Sequence, residues 1–353
     1  GGSSSLKVQK EISPLQGLQA RLAKDGVEVD FARGYVGDVT GNYNGVTTGQ
    51  NLEDKRSEAE LIAEAVAKAK TADYVILFGG LNKSDYQDCE GHDRQQYELP
   101  YAQNKLVTAL AAANKNFVYV NISGNAVAMP WKDKVPAIVQ GWYLGSEAGE
   151  ALASVLTGDV NPSGKLPFTW VKSLQEVGAH VLNTYPGTWR LEGGAKTKGN
   201  IIDEEYKEGI YVGYRWADKE KQRPVFAFGH GLSYTQFAIS KLRADKTTMT
   251  ATDSITFTVQ VKNIGQRAGS ETVQLYVHDV KASVDRPLKE LKGFCKVSLQ
   301  PGESKDVTIT LGKDALSFYD EATAAWKAEA GQFEAWVGNA SDNLKLKKTF
   351  ELK

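Results

Sequence analysis

The chain has 353 residues, 41% of them apolar and 24% charged, with a formal net charge of −1. That length exceeds most single domains and predicts two. The near-zero charge offers no electrostatic basis for binding nucleic acid or an anionic membrane surface, and no apolar run approaches the roughly 18 residues of a bilayer span.

Two cysteines, Cys89 and Cys295, exclude a disulfide framework and read as separate thiols in different domains. The opening Gly1-Gly2-Ser3-Ser4-Ser5 is either an appended linker or a native loop cut in the middle; no secretory signal is visible within the sequence, and in both cases that says nothing about where the parent protein resides.

The first half alternates helix and strand. Ser13-Pro14 supplies an N-cap and a proline at the first helical position, opening a helix through Leu15, Leu18 and Leu22 that stops by Gly26. The alternation of residues 27–32 predicts a strand, and the glycine- and asparagine-rich stretch 34–49 a loop. Ser57-Glu58-Ala59-Glu60 is a capping box, followed by a helical stripe of Leu61, Ile62, Ala65, Val66 and Ala69. A buried strand is expected over 74–80, a helix from Pro100 to about Ala113, and strands over 117–122 and 137–142. A last helix is expected over 147–157, terminated by Gly158.

Strands apolar on both faces and separated by helices predict a largely parallel sheet covered by helices on both sides. No strand precedes the first helix. In doubly wound sheets the first strand lies inside the order, so the domain is expected to lack an interior strand and the chain to be part of a larger protein.

Residues 173–234 form a connecting segment, glycine-rich over 173–208 and carrying Trp189. Beyond Thr235 the period changes to two, over 254–261, 272–277, 306–311 and 332–337. Asn263-Ile264-Gly265 and Gln300-Pro301-Gly302 serve as turns. This pattern predicts an antiparallel sandwich of the immunoglobulin or fibronectin type III kind. The expected domains are therefore 1–172, α/β, and 235–353, all-β.

One loop concentrates reactive side chains. Asp88-Cys89-Glu90-Gly91-His92-Asp93-Arg94 leaves the carboxyl end of the 74–80 strand, where open α/β sheets place their chemistry. Taken alone it reads as a solvated turn. His92 fits a hydrogen-bonding role in the loop better than a catalytic one, and Cys89 reads as packing. No metal-ligand constellation is evident, so neither metal nor cofactor is expected. Trp131, Trp142, Tyr143 and Trp189 are large enough to stack on a flat ligand face, but core packing is the commoner use of such residues.

Several ordered motifs resemble glycoside hydrolase family 3. The stretch 10–18 is similar to the opening of that family's second domain, and Glu90-Gly91-His92-Asp93-Arg94 with Leu99-Pro100 resembles its acid/base loop. Later signatures resemble Ala128-Met129-Pro130-Trp131, the stretch 158–167, Tyr211-Val212-Gly213-Tyr214-Arg215 and Phe228-Gly229-His230-Gly231-Leu232-Ser233-Tyr234. The likeness continues in the sandwich, through 288–294 and 316–320.

The resemblance implies an (α/β)6-sandwich domain followed by a fibronectin type III-like domain, both trailing an N-terminal (β/α)8 barrel. It also implies a retaining, exo-acting β-glucosidase acting on terminal β-linked glucose of oligosaccharides. The alternatives are a β-xylosidase or a non-catalytic carbohydrate-binding or scaffold fragment. Glu90 would be the general acid/base, and Asp93 and Arg94 would support its loop by pairing with each other. The family nucleophile is an aspartate on the barrel. Ser84-Asp85-Tyr86 echoes its motif only superficially and in the wrong domain. A periplasmic or secreted location is favoured over a cytoplasmic one.

Overall fold

The computed structural model describes residues 8–37, 53–197 and 201–353, with Gly199 and the two short paired strands Asn42–Tyr43 and Val46–Thr47. The opening Gly1–Ser5 and much of the expected 34–49 loop lie outside the described residues. The chain divides into two compact units, Gly1–Val160 and Asn161–Lys353, so residues 161–234 group with the sandwich.

In the first unit, helix α1 (Pro14–Leu22) begins with Ser13 as its cap; the Ser13 side chain takes the Gln16 N–H and Gln16 returns a bond to the Ser13 N–H. Ser57 and Glu60 form the same reciprocal box at the start of α2 (Glu58–Thr71). Strand β1 (Val75–Gly80), helix α3 (Gln103–Ala113), strands β2 (Phe117–Ile122) and β3 (Ala137–Gln140) and helix α4 (Ala148–Thr157) follow. The three strands are parallel in the order β1-β2-β3. Gly158 closes α4 in the left-handed conformation at φ 83°. α1 and α4 meet at a glycine pair: a Cβ on Gly17 would lie 2.1 Å from the Gly149 carbonyl oxygen.

Three expectations are corrected. Residues 27–32 are irregular, with Val27 and Phe31 49% and 56% exposed. Lys68 reaches Asp30 at 2.7 Å and the Phe31 carbonyl at 2.8 Å there. Alternation marks which side chains share a face, but it does not supply the neighbour that a ladder requires. Helix α3 starts at Gln103, not Pro100, because Tyr101 and Ala102 take left-handed φ values of 59° and 56°. Strand β3 ends at Gln140, ahead of Trp142 at φ 54°.

The second unit contains a sandwich of two sheets. One is β4 (Phe237–Ala244), β5 (Ser254–Asn263) and β8 (Ser304–Gly312), antiparallel in the order β4-β5-β8. The other runs β10 (Leu346–Leu352), β9 (Gly331–Gly338), β6 (Gly269–Asp279) and β7 (Glu290–Leu299), with Thr248–Met249 added in parallel at the β10 edge. Met249, Ile255, Val261, Val273, Leu275 and Ala335 are fully buried between them.

The 161–234 segment is knitted to this unit. Leu166 N–H donates to the His230 carbonyl and Gly229 N–H to the Leu166 carbonyl, both at 2.8 Å. Asn161 Oδ1 accepts from Ser233 Oγ at 2.9 Å and from the Tyr234 N–H at 2.8 Å. Two of the sequence signatures therefore serve to hold this segment in place.

Candidate active site

The reactive loop leaves β1 at Gly80, whose φ of 127° and tight approach to the Ile122 carbonyl admit no side chain. Gln103, fully buried at the start of α3, pins that exit from both sides. Its Oε1 accepts from the Gly80 N–H at 2.7 Å and its Nε2 donates to the Gly80 carbonyl at 2.8 Å. The left-handed turn at Tyr101 and Ala102 precedes Gln103, so the displaced helix start and the loop exit form one local construction.

The loop is then tied down twice. Asp88 is the first tie: Oδ2 accepts from the Gly124 N–H at 2.7 Å and the Tyr143 hydroxyl at 2.9 Å, and Oδ1 from Asn125 Nδ2 at 2.9 Å. Burial and the adjacent Asp88 carboxylate push the Tyr143 phenol well above its ordinary value, so it stays a donor. The second tie is Arg94, whose Nη2 donates to the Ala126 carbonyl at 2.6 Å, with its guanidinium 5.5 Å from the Tyr97 ring centre. Tyr97 and Leu99 are buried beyond it, and the Tyr97 carbonyl accepts from the Ala128 N–H at 2.8 Å.

The surface receiving both ties is itself braced. Asn121 Nδ2 donates to Ser123 Oγ and Gln140 Oε1, each at 2.7 Å, and Ser123 Oγ donates to the Asn125 carbonyl at 2.7 Å. Asn121 and Ser123 are fully buried polar groups satisfied by this network. It continues the carboxyl ends of β2 and β3 into the 123–126 turn that grips Asp88 and Arg94.

Glu90 and Gly91 lie between the ties. Glu90 is exposed, and Gly91 takes φ 92°, a conformation that disfavours a side chain. Asp93 is exposed as well. Arg94 points inward to Ala126 and Tyr97 instead of forming the expected ion pair with Asp93. Burial lowers its pKa, and Asp88 is the first charge opposing that shift. The supporting carboxylate missed in the sequence is Asp88. An exposed carboxyl on a braced, glycine-hinged turn can give and take a proton at an incoming group.

The remaining candidates separate clearly. Trp131 is buried, donating to Asn104 Oδ1 at 2.7 Å and packing edge-on against Tyr119. Trp189 is 42% exposed in the second unit, with Lys196 Nζ 3.7 Å from its ring centre. Asp85 is exposed, 3.4 Å from His92 Nδ1, and the His92 ring lies 4.9 Å from that of Tyr86. Cys89, expected as packing, is only half-buried and sits with Asp85 and His92, their ligand atoms all within 4.8 Å of one another.

Comparison with known proteins gives the fold its family. A family model described as the glycosyl hydrolase family 3 C-terminal domain matches residues 1–214. The chain belongs to glycosyl hydrolase family 3. A fibronectin type III-like domain matches residues 271–341, within the sandwich. Both agree with the family and fold class read from the motifs.

A β-glucosidase of Bacteroides ovatus, BoGH3A, is 47% identical over 99% of this chain, which covers 45% of that protein. Thermostable β-glucosidase B of Acetivibrio thermocellus is 42% identical over 85% of this chain and 38% of its own length. The solved family 3 β-glucosidase of Bifidobacterium adolescentis superposes with a TM-score of 0.82 at 35% identity, covering 99% of this chain and 47% of that one. This chain thus spans less than half the length of each of these family 3 relatives.

Proposed function

We propose that this chain is the acid/base-bearing portion of a retaining β-glucosidase that removes terminal β-linked glucose from oligosaccharides. Glu90 protonates the leaving oxygen in the first step and deprotonates water in the second. The attacking carboxylate comes from a (β/α)8 barrel outside these 353 residues. The observation that carries the reading is the placement of Glu90: exposed at a glycine turn, with Asp88 tied to Gly124 on one side and Arg94 to Ala126 on the other. Such a turn presents a carboxyl group to a sugar bound on another domain while limiting its wander. The relatives named above are β-glucosidases, which favours glucose over xylose.

The test is Glu90→Ala in the enzyme assembled with its barrel. Turnover of substrates with poor leaving groups should fall about 10²- to 10⁴-fold, the usual worth of a general acid. Activated aryl glucosides should lose far less at the glycosylation step, and added azide should restore their turnover. Unchanged kinetics would remove Glu90 from the mechanism. A panel of aryl glucosides and xylosides checks the sugar.

A further inference from the structure

We propose that Asp85, Cys89 and His92 form a binding site for a borderline-soft divalent cation of the zinc class. The three side chains offer one carboxylate oxygen, one sulfur and one imidazole nitrogen, all within 4.8 Å of one another. The Asp85 Oδ1 to His92 Nδ1 separation is 3.4 Å, long for a hydrogen bond. It is, however, the spacing that two ligands take on a tetrahedral ion with bonds of about 2.0–2.2 Å; a sulfur ligand at ~2.3 Å asks for roughly 3.6 Å.

The loop has already done the ordering. Tyr86 lies against the His92 ring at 4.9 Å, and Asp88, next to Cys89, is fixed to Gly124 and Asn125. Cys89 Sγ now rests 3.3 Å from the His92 carbonyl, so metal binding exchanges one weak S–H···O contact for a metal–thiolate bond. The thiol proton passes to solvent, and the carboxylate and thiolate together neutralise the ion's charge.

Three protein ligands, two of them on exposed residues, leave a fourth position for water. Sulfur and imidazole select zinc, cobalt or cadmium over magnesium and calcium, which demand oxygen. Glu90 and Gly91 lie between two of the ligands, so an occupied site fixes the backbone on both sides of them.

The test uses the enzyme assembled with its barrel, with metal salts alone as the probe. Adding Co²⁺ should produce a thiolate-to-cobalt charge-transfer band together with visible d–d bands, and Zn²⁺ should abolish both. Alkylation followed by mass spectrometry should show Zn²⁺ slowing modification of Cys89 at least tenfold while leaving Cys295 unaffected. Cys89→Ser should lose the charge-transfer band, and His92→Gln should weaken binding about tenfold or more. Equal alkylation of Cys89 with and without Zn²⁺ would overturn the site. So would equal protection by Mg²⁺, or undiminished binding in His92→Gln.

Discussion

Asp88 Oδ2 takes the backbone N–H of Gly124 at 2.7 Å, joining the loop that carries Glu90 to the turn after β2. The same carboxylate also satisfies Asn125 and Tyr143. Its removal would leave these three donors without this acceptor.

Asp88→Ala is therefore expected to damage both stability and catalysis. Unpaired donors cost about 1–3 kcal/mol where they are shielded from water. On the proposed role of Glu90, its displacement should lower kcat on poor leaving groups about 10- to 100-fold. Tyr143→Phe removes one donor and keeps the carboxylate, so its effect should be much the smaller. Thermal unfolding and leaving-group dependence, measured on both variants in the assembled enzyme, check this. A kinetically silent Asp88→Ala would mean that the tie does not position Glu90.

Gln103 makes a sharper stability prediction. It is fully buried and serves the N–H and the carbonyl of Gly80 together. Gln103→Leu keeps the volume and leaves both backbone groups unpaired, so the loss should be about 2 kcal/mol or more. Denaturant titration of the variant reads it directly; a loss within experimental error would mean that water or a shifted backbone replaces the amide.

Those two residues also show what the sequence could and could not disclose. Ser57 and Glu60 were legible because a capping box is complete within four residues, and Gly158 because a helix stop is local. The loop around Glu90 was legible as a resemblance because its motif is contiguous. The role of Asp88 was not, since its partners Gly124 and Tyr143 stand 36 and 55 residues away. In the sandwich, β5, β6, β8 and β9 announce themselves by strict alternation. β4 does not, because a bulge breaks its period: the register shifts between Ser240 and Arg243. Residues 27–32 err in the opposite sense, alternating with no strand to meet them.

Arg286 tests how the 288–294 signature is held. Its guanidinium, 7% exposed, bonds Asp279 at 3.2 Å, Glu290 at 2.5 Å and the Leu316 carbonyl at 2.9 Å. Arg215 and Lys292 add further positive charge around Glu290, which stays below its ordinary pKa despite burial. Arg286→Met leaves Asp279 with its cation removed in a nearly dry site, a change that usually costs about 3–5 kcal/mol. Urea unfolding should show the sandwich transition moved to lower denaturant. Arg286→Lys should recover only part of the loss, since an ammonium cannot reproduce the fork that spans both carboxylates.

Glu329 gives a prediction in pH. Its carboxylate accepts from the Ser283 hydroxyl at 2.5 Å and the Ser283 N–H at 3.0 Å, and lies 3.0 Å from Lys327. The Ser283 hydroxyl is the largest cause, with Lys327 next, of a fall in pKa from 4.5 to about 2. A carboxyl held lower in the folded than in the unfolded chain stabilises the fold above its unfolded value and loses that contribution as pH falls through the folded one. The contribution of Glu329 is thus complete above pH 4.5 and fades toward pH 2. Glu329→Gln removes the titrating group, so the wild type should exceed the variant in denaturant midpoint by a constant margin above pH 4.5 and converge on it near pH 2. A margin that stays constant down to pH 2 would assign the effect to packing of the side chain instead of its charge.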